Sequence, residues 1–264
     1  MGPEWRSYTA EDRKKKCRVG SPVNYAIHDK GLSTMICGRN RDASGRKFSP
    51  RRRIEAYKLR KWQKRTRICN IRERNLVHAL SELNRLANQL SIPRSTKEEA
   101  AIIYRKAGDN GLSRGITMEV LVAAALYTAC RARKIPRTLD EIAEKSHTSK
   151  KHIGSWFRRL IRKLKISIPI SKPMDFISRF SNELKLSGKV SSRAIELLED
   201  AKEEGITYGK VPTGLAATAL YIAGILEDER RTKREISRVG QVSEVTVRNR
   251  YKEFVENLEI DVTV

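Results

Sequence analysis

The sequence predicts an all-α protein made of two tandem helical modules behind an extended basic segment, with each module ending in a helix-turn-helix. Two observations predict this fold class. When the sequence is shifted by 94 positions it matches itself without a gap from about Gly111 to Ile166, so that Gly111 falls on Gly205 and Tyr127 on Tyr221. Apolar residues recur at helical spacing within each copy, and no stretch alternates with period two for long enough to build a sheet. Each copy is far longer than a solenoid repeat, so we expect two domains with separate cores.

The segment before the repeats, residues 1–70, holds 20 Lys and Arg against 6 acids. Basic runs such as Arg13-Lys14-Lys15-Lys16 lie among Gly, Ser, Pro and Asn, which is typical of a disordered tail. The segment also has more aromatic residues than a pure tail needs: Trp5, Tyr8, Tyr25 and Phe48. We therefore expect this segment to be extended in the free protein and to thread onto a large partner, and we divide it into residues 1–35 and 36–70. Residues 36–70 are expected to form a basic linker with a helix from about Ile54.

The first repeat is expected over residues 71–168. The leucines between Leu76 and Leu90 recur every three or four residues and predict its first helix. The second helix is expected to have Ser95-Thr96 as its cap. The stretch from Met118 to Arg131 is apolar on most faces, which predicts a central helix that others surround, with Cys130 in the core.

Each copy closes with a short capped helix, a turn of about four residues and a longer helix, which is the helix-turn-helix arrangement. In the first copy the capping-box pattern Thr138 to Glu141 comes before a turn at Ser146 to Ser149. In the second repeat, residues 169–264, the pattern Thr232 to Glu235 comes before a turn at Gly240 to Ser243. The start of the longer helix in such a pair can enter a major groove of DNA.

The start of the last helix carries side chains suited to base edges. Arg can bridge guanine O6 and N7, Asn can bridge adenine N6 and N7, and Val and Thr methyls can meet the thymine methyl. The expected base contacts are Val245, Thr246, Arg248 and Asn249. The lysines at the same place in the first copy suit phosphates better. The expected DNA backbone contacts of both copies are Ser149, Lys150, Lys151, His152, Arg137, Arg231, Ser243, Arg250 and Lys252.

The formal net charge is +24. Residues 1–70 contribute +14 and residues 71–168 contribute +11, whereas residues 169–264 contribute −1. Such a field attracts polyanions, although composition alone leaves DNA, RNA and a generally basic protein such as a ribosomal one open. A surface made of solvated helices remains the plain alternative to the helix-turn-helix interpretation.

The sequence shows no pattern typical of a metal site, a catalytic site or a membrane-spanning segment. Its cysteines and histidines are scattered, so no zinc site is expected, and no catalytic Ser/His/Asp set, carboxylate pair or phosphate-binding loop is found. No apolar run approaches the ~20 residues that a membrane-spanning helix needs. We therefore expect neither a cofactor nor an enzyme, and no membrane partner.

Five motifs, spread over nearly the whole chain, are specific in combination. They are Gly2-Pro3-Glu4-Trp5-Arg6, His28-Asp29-Lys30-Gly31-Leu32-Ser33-Thr34, Leu59-Arg60-Lys61-Trp62-Gln63, Pro136-Arg137-Thr138-Leu139-Asp140-Glu141-Ile142-Ala143 and Glu244-Val245-Thr246-Val247-Arg248-Asn249-Arg250-Tyr251-Lys252. Together they resemble archaeal transcription factor B, the relative of eukaryotic transcription factor IIB. The resemblance implies that each repeat is a cyclin-like five-helix domain and that the two repeats clamp the complex of TATA-binding protein with bent promoter DNA.

The resemblance also implies a division of labour. The second repeat reads the element upstream of the TATA box through Val245, Thr246 and Arg248, and the first repeat lies downstream and touches mostly the DNA backbone. The stretch Gly2 to Thr34 resembles the reader segment that enters the RNA polymerase cleft and helps to choose the start site, and the stretch around Arg39 to Arg67 resembles the linker that helps to open DNA. The expected polymerase-cleft residues are Trp5, Arg6, Arg13, Lys14, Asp29, Lys30, Leu32, Ser33 and Thr34.

One departure from the family concerns zinc. The family begins with a zinc ribbon that docks on the polymerase, and this sequence starts where that ribbon would end. Either the sequence is truncated or it belongs to a variant without the ribbon; we expect truncation, with zinc only in the missing ribbon. The expected partners are double-stranded promoter DNA, TATA-binding protein and RNA polymerase, and the expected state is a monomer in the cytoplasm of an archaeal cell, at the nucleoid.

Two other functions are weighed against this one. A cyclin-like protein-binding module, for instance a kinase partner with only non-specific affinity for nucleic acid, explains the core but leaves the helix-turn-helix residues and the positive charge without a use. A nucleic-acid enzyme such as a recombinase would need a catalytic set of residues, and this sequence contains none.

Overall fold

The computed structural model describes residues 23–33, 36–42, 44–66, 68 and 70–258. Over these ranges it contains eleven α-helices and no strand, which confirms the predicted all-α class. Five of the residues expected at the polymerase cleft lie outside the described residues: Trp5, Arg6, Arg13, Lys14 and Thr34.

Ten of the eleven described helices divide evenly between the two copies, and α1 precedes them. In chain order they are α1 (Pro50–Thr66), α2 (Ile71–Gln89), α3 (Arg94–Asp109), α4 (Met118–Ala132), α5 (Leu139–Ser146), α6 (Lys150–Leu164), α7 (Met174–Leu184), α8 (Gly188–Glu203), α9 (Pro212–Leu226), α10 (Lys233–Gly240) and α11 (Glu244–Leu258). Helices α2–α6 make up the first copy and α7–α11 the second, so that each copy contains five helices.

Contacts along the chain define two compact units, residues 1–129 and 130–264, and the boundary between them falls inside α4. Helices α5 and α6 therefore cluster with the second copy, although the sequence repeat assigns them to the first. As a result, both helix-turn-helix pairs belong to the unit 130–264.

In the unit 1–129, α2 packs against α3. The predicted leucine stripe of α2 is confirmed, since Leu80, Leu83 and Leu86 are buried. The predicted cap of α3 is wrong. The helix begins at Arg94, and Pro93 occupies the N-cap position with a non-helical ψ of 149°. Thr96 therefore lies inside the first turn and is buried.

The central helix of each copy is apolar almost all round, as predicted for the first. In α4 every residue from Val120 to Cys130 is buried. Cys130 packs in the core as expected, and its burial raises the pKa of its thiol to about 12. In the second copy α9 packs against α7, α8, α10 and α11, around a core that includes Phe180, Leu215 and Phe254.

The linker helix is longer than predicted. It begins at Pro50 and not near Ile54, because the φ of proline suits the first helical position. Large apolar side chains on α1, among them Tyr57 and Trp62, are exposed. Just before it, Arg41 and Lys47 form an isolated antiparallel bridge. No helix among the described residues is long and apolar enough to cross a membrane.

Candidate nucleic-acid interface

The second helix-turn-helix pair is fixed at both ends of α10. Thr232 and Glu235 form the predicted capping box, in which the Thr232 hydroxyl accepts from the Glu235 N–H and the Glu235 carboxylate accepts from the Thr232 N–H. At the other end, a methyl group on Gly240 would lie 3.0 Å from Cβ of Ala217, so a larger residue there would require α10 and α9 to shift apart slightly. Gln241 follows in the left-handed region, with φ 51°, and makes the turn.

Helix α11 is anchored to the domain by two fully buried side chains. The Ser243 hydroxyl accepts from the Thr246 N–H at 3.1 Å and caps the helix. Val247 and Phe254 have no exposed surface. Because these two residues lie seven positions apart, they occupy one face of α11.

The opposite face of α11 carries an exposed stripe, which we call the recognition stripe: Val245, Arg248, Asn249 and Lys252. These positions follow the i, i+3, i+4, i+7 spacing of a single helical face. Val245 is an apolar side chain that is 61% exposed, next to an arginine and an asparagine that can each form paired hydrogen bonds with a purine. The structure thus brings together three of the four expected base contacts and one expected backbone contact.

Two other expected contacts on α11 already have partners in the protein. The Thr246 hydroxyl lies 2.7 Å from the Ser243 hydroxyl. Arg250 donates to Glu253 at 2.7 Å, and Lys210 binds the other carboxylate oxygen of Glu253. Burial by itself raises the pKa of Glu253, but the hydrogen bonds from Lys210 and Arg250 outweigh it and lower that pKa.

The first helix-turn-helix pair also has a threonine N-cap and a left-handed residue in its turn, but its capping differs. The Thr138 hydroxyl accepts from the Glu141 N–H and caps α5, but the Glu141 carboxylate does not return to Thr138. It faces Arg179 instead, at 2.8 Å. The predicted capping box is therefore half formed in this copy. His147 is left-handed, with φ 52°, and makes the turn before α6.

The surface of α6 is far more basic than that of α11. Helix α6 contains six Lys and Arg and no acid, whereas α11 contains three of each. Its first turn presents the expected backbone contacts Lys150, Lys151 and His152 to solvent, after Ser149 at the N-cap. Lys150 also pairs with Asp140 at 2.6 Å. The backbone contacts expected from the sequence did not include four further cations that are exposed along α6: Arg158, Arg159, Arg162 and Lys163. Counting the charges along the helix would have found them.

The two arginines expected at the DNA backbone outside these helices turn towards the protein. Arg137 lies 3.6 Å from Glu141. Arg231 donates to the carbonyl oxygens of Leu184 and Lys185 at the end of α7. Contact of either arginine with DNA stays a prediction.

The segment 23–33 is folded against α3 of its own unit. Arg105 donates to the carbonyl oxygens of Tyr25, Ile27 and His28, and Ala26 is buried. The expected polymerase-cleft residues in this segment are Asp29 and Lys30, which lie in its turn, and Leu32 and Ser33, which are exposed. No group of His, Cys, Asp and Glu suited to a metal ion is found among the described residues.

Comparison with known proteins identifies the repeats. A family model described as the transcription factor TFIIB repeat matches residues 72–163 and again residues 166–257. The transcription initiation factor IIB of Methanococcus maripaludis strain C7 is 52% identical over 264 residues, which are 100% of this chain and 78% of that protein. Its counterpart in Saccharolobus shibatae is 51% identical over 262 residues, which are 99% of this chain and 86% of that protein.

These matches confirm the resemblance to archaeal transcription factor B and the tandem cyclin-like repeats. The family is one of transcription factors and not of enzymes. The two matched repeats together span residues 72–257. A relative named transcription initiation factor IIB aligns over the whole chain. The chain belongs to the transcription factor TFIIB family and has the role of a general transcription initiation factor.

Proposed function

We propose that this chain binds the complex of TATA-binding protein with bent promoter DNA and reads the element upstream of the TATA box. It then helps to position RNA polymerase for start-site selection. The observation that carries the proposal is the recognition stripe of α11, an exposed face whose four side chains match the chemistry of base edges and phosphates. In this role the chain acts as a monomer at the nucleoid of an archaeal cell.

Base reading on this proposal belongs to the tip of α11. Arg248 and Asn249 supply the hydrogen bonds to purines, and Val245 supplies an apolar contact for a thymine methyl. Thr246 stands beside them with its hydroxyl bound to Ser243, so it acts by shaping the tip more than by direct hydrogen bonding. Lys252, one turn further along the stripe, meets a phosphate.

Helix α6 supplies binding without base reading. Its six cations and its lack of acids favour the sugar-phosphate backbone, where each neutralised phosphate releases counterions. Arg159 also stacks over the Trp156 ring at 4.5 Å, which stiffens part of this basic face. The basic α1, with exposed Tyr57 and Trp62, and the segment 23–33 are proposed to face the polymerase.

A gel mobility experiment tests the proposal. The whole chain is added to TATA-binding protein on promoter DNA that carries an upstream element, and we expect a slower-migrating ternary band. Replacing the upstream element by a scrambled sequence should weaken that band while the complex of TATA-binding protein with DNA persists.

The same experiment separates the competing function. A chain that produces no supershift, or that binds scrambled and natural DNA equally well, is a protein-binding module with non-specific nucleic-acid affinity. A footprint over the upstream element in the ternary complex favours the proposed function.

A further inference from the structure

Arg179 on α7 joins the second copy to the helix pair that closes the first. Its Nη2 lies 2.8 Å from Glu141 Oε1 at the start of α5, and its Nη1 donates to the carbonyl oxygen of Pro136 at 2.6 Å. Its Nε donates to Glu183, one turn along α7, at 2.9 Å. All of these residues belong to the compact unit 130–264.

This cluster is largely withdrawn from water. Only 17% of the Arg179 side chain and 11% of the Glu141 side chain are exposed. Arg137 adds a second cation 3.6 Å from the other carboxylate oxygen of Glu141. Removing one partner of such a pair leaves an uncompensated charge in a poorly solvated place. The cluster therefore resists movement of α5 against α7 far more than an exposed ion pair would.

The corresponding residues of the other copy are used differently. Under the 94-residue shift Arg179 falls on Arg85, and Glu141 falls on Glu235. Arg85 pairs with Glu82 and donates to Gln89, both on its own helix, and Glu235 completes the capping box of α10. The contacts described for Arg85 and Glu235 therefore differ from the pairing of Arg179 with Glu141. The pairing of Arg179 with Glu141 joins α7 to the start of α5.

A second contact ties α5 to the other helix-turn-helix pair. The hydroxyl of Thr138, the N-cap of α5, donates to Oε1 of Gln241. Gln241 is the left-handed residue in the turn between α10 and α11. The start of α5 is thus connected both to α7 and to the turn immediately before the recognition stripe.

We infer that Arg179 is a positioning residue that sets the spacing between the two helix-turn-helix pairs. With its network intact, the phosphates bound at α6 and the bases read by α11 are held a defined distance apart along the DNA. The inference rests on the proposed function, because it gives Arg179 a part in the choice among DNA sites as well as in stability.

The test uses the whole chain, TATA-binding protein and two promoter DNAs, one of which has two extra base pairs between the upstream element and the TATA box. We expect the wild-type chain to prefer the natural spacing. Arg179→Ala should reduce the ratio of the two affinities by about tenfold, the order of coupling found between residues in one network. Arg85→Ala, at the corresponding position of the first copy, should leave the ratio unchanged.

The ratio distinguishes positioning from stability. A variant that merely loosens the fold binds both DNAs more weakly by the same factor, and that result for Arg179→Ala overturns the inference. Gln241→Gly gives an independent arm, since it cuts the second tie and glycine adopts φ 51° freely. We expect Gln241→Gly to lower the same ratio by a smaller factor. If Arg179→Ala fails to fold, an unchanged ratio for Gln241→Gly overturns the inference.

The wild-type control separates this inference from the proposed function. A wild-type chain that forms the ternary complex but binds both spacings equally overturns the inference alone. A wild-type chain that forms no ternary complex overturns the proposed function and the inference with it.

Discussion

Val245 and Val247 stand two residues apart on α11, yet 61% of Val245 is exposed whereas Val247 is fully buried. The difference follows from helix geometry, because each residue turns the helix by about 100°. A step of two residues along α11 therefore moves a side chain from the recognition stripe to the buried face. The same residue type serves contact with a partner at one position and packing at the other.

This pair predicts unequal effects on stability. Val247→Ala should lower the free energy of unfolding by about 1–3 kcal/mol, because it opens a cavity in a close-packed interior. Val245→Ala should change the free energy of unfolding by less than about 0.5 kcal/mol. Chemical denaturation measures both values, and equal losses would contradict the difference in burial.

Arg248→Ala should weaken binding to the natural upstream element by ~1–3 kcal/mol and binding to scrambled DNA by much less. Arg250→Ala is the matched control on the same helix, because the Arg250 guanidinium pairs with Glu253. It should leave the ratio between the two DNAs unchanged. Competition binding in the ternary complex gives the ratio, and an equal loss on both DNAs would make Arg248 a phosphate contact.

The basic face of α6 predicts a salt effect. Lys151→Ala should reduce the slope of log affinity against log salt concentration by about one, since one phosphate contact and its released counterion are lost. Lys145→Ala serves as the control, because Lys145 lies outside α6 and 3.7 Å from Glu144. Its slope should match that of the wild-type chain. A Lys151→Ala slope equal to wild type would remove this residue from the interface.

The contacts of Arg105 predict a local release. Arg105→Ala should speed amide hydrogen exchange at Ile27 and Lys30, because the three carbonyl oxygens it binds in the segment 23–33 lose their shared donor. Exchange within the rest of α3 should change little. Lys106→Ala, at the exposed neighbouring position, should leave the exchange of the segment unaltered. Unchanged exchange in Arg105→Ala would mean that the guanidinium does not hold the segment.

Glu253 predicts a pH dependence of stability. Its pKa is lower in the folded protein than the ordinary value of 4.5. A carboxyl group of this kind stabilises the fold above the unfolded pKa, and the contribution is lost as the pH falls through the folded pKa. Glu253→Gln should therefore lower Tm at neutral pH. At a pH well below 4.5 the same substitution should lower Tm by a smaller amount. Glu256→Gln, exposed on the same helix, should show a smaller difference between the two conditions.

Much of the local architecture could be predicted because its causes are local. Helix periodicity, the threonine caps at Thr138 and Thr232 and both turns were correctly expected, since each depends on residues within a few positions of one another. The expected cap of α3 failed for a local reason too. Pro93 is the N-cap and the helix begins at Arg94, so Ser95 and Thr96 already lie in its first turn.

Long-range partners could not be predicted. The Arg231 guanidinium reaches the carbonyl oxygen of Leu184, 47 residues away in sequence. Arg179 reaches the carbonyl oxygen of Pro136, 43 residues away. No spacing rule within one helix indicates such pairs, since they depend on how separate elements pack.

The sequence alone specifies the duplicated all-helical fold and the two helix-turn-helix pairs. It also specifies the face of α11 that bears Val245, Arg248 and Asn249. The tertiary structure determines which charged and polar side chains remain available to bind a partner. Glu141 faces Arg179, whereas its counterpart Glu235 completes a capping box. The physical reason is that periodicity and capping act along the chain, whereas the partner of a charged side chain is whichever distant group the packed helices bring within hydrogen-bond reach.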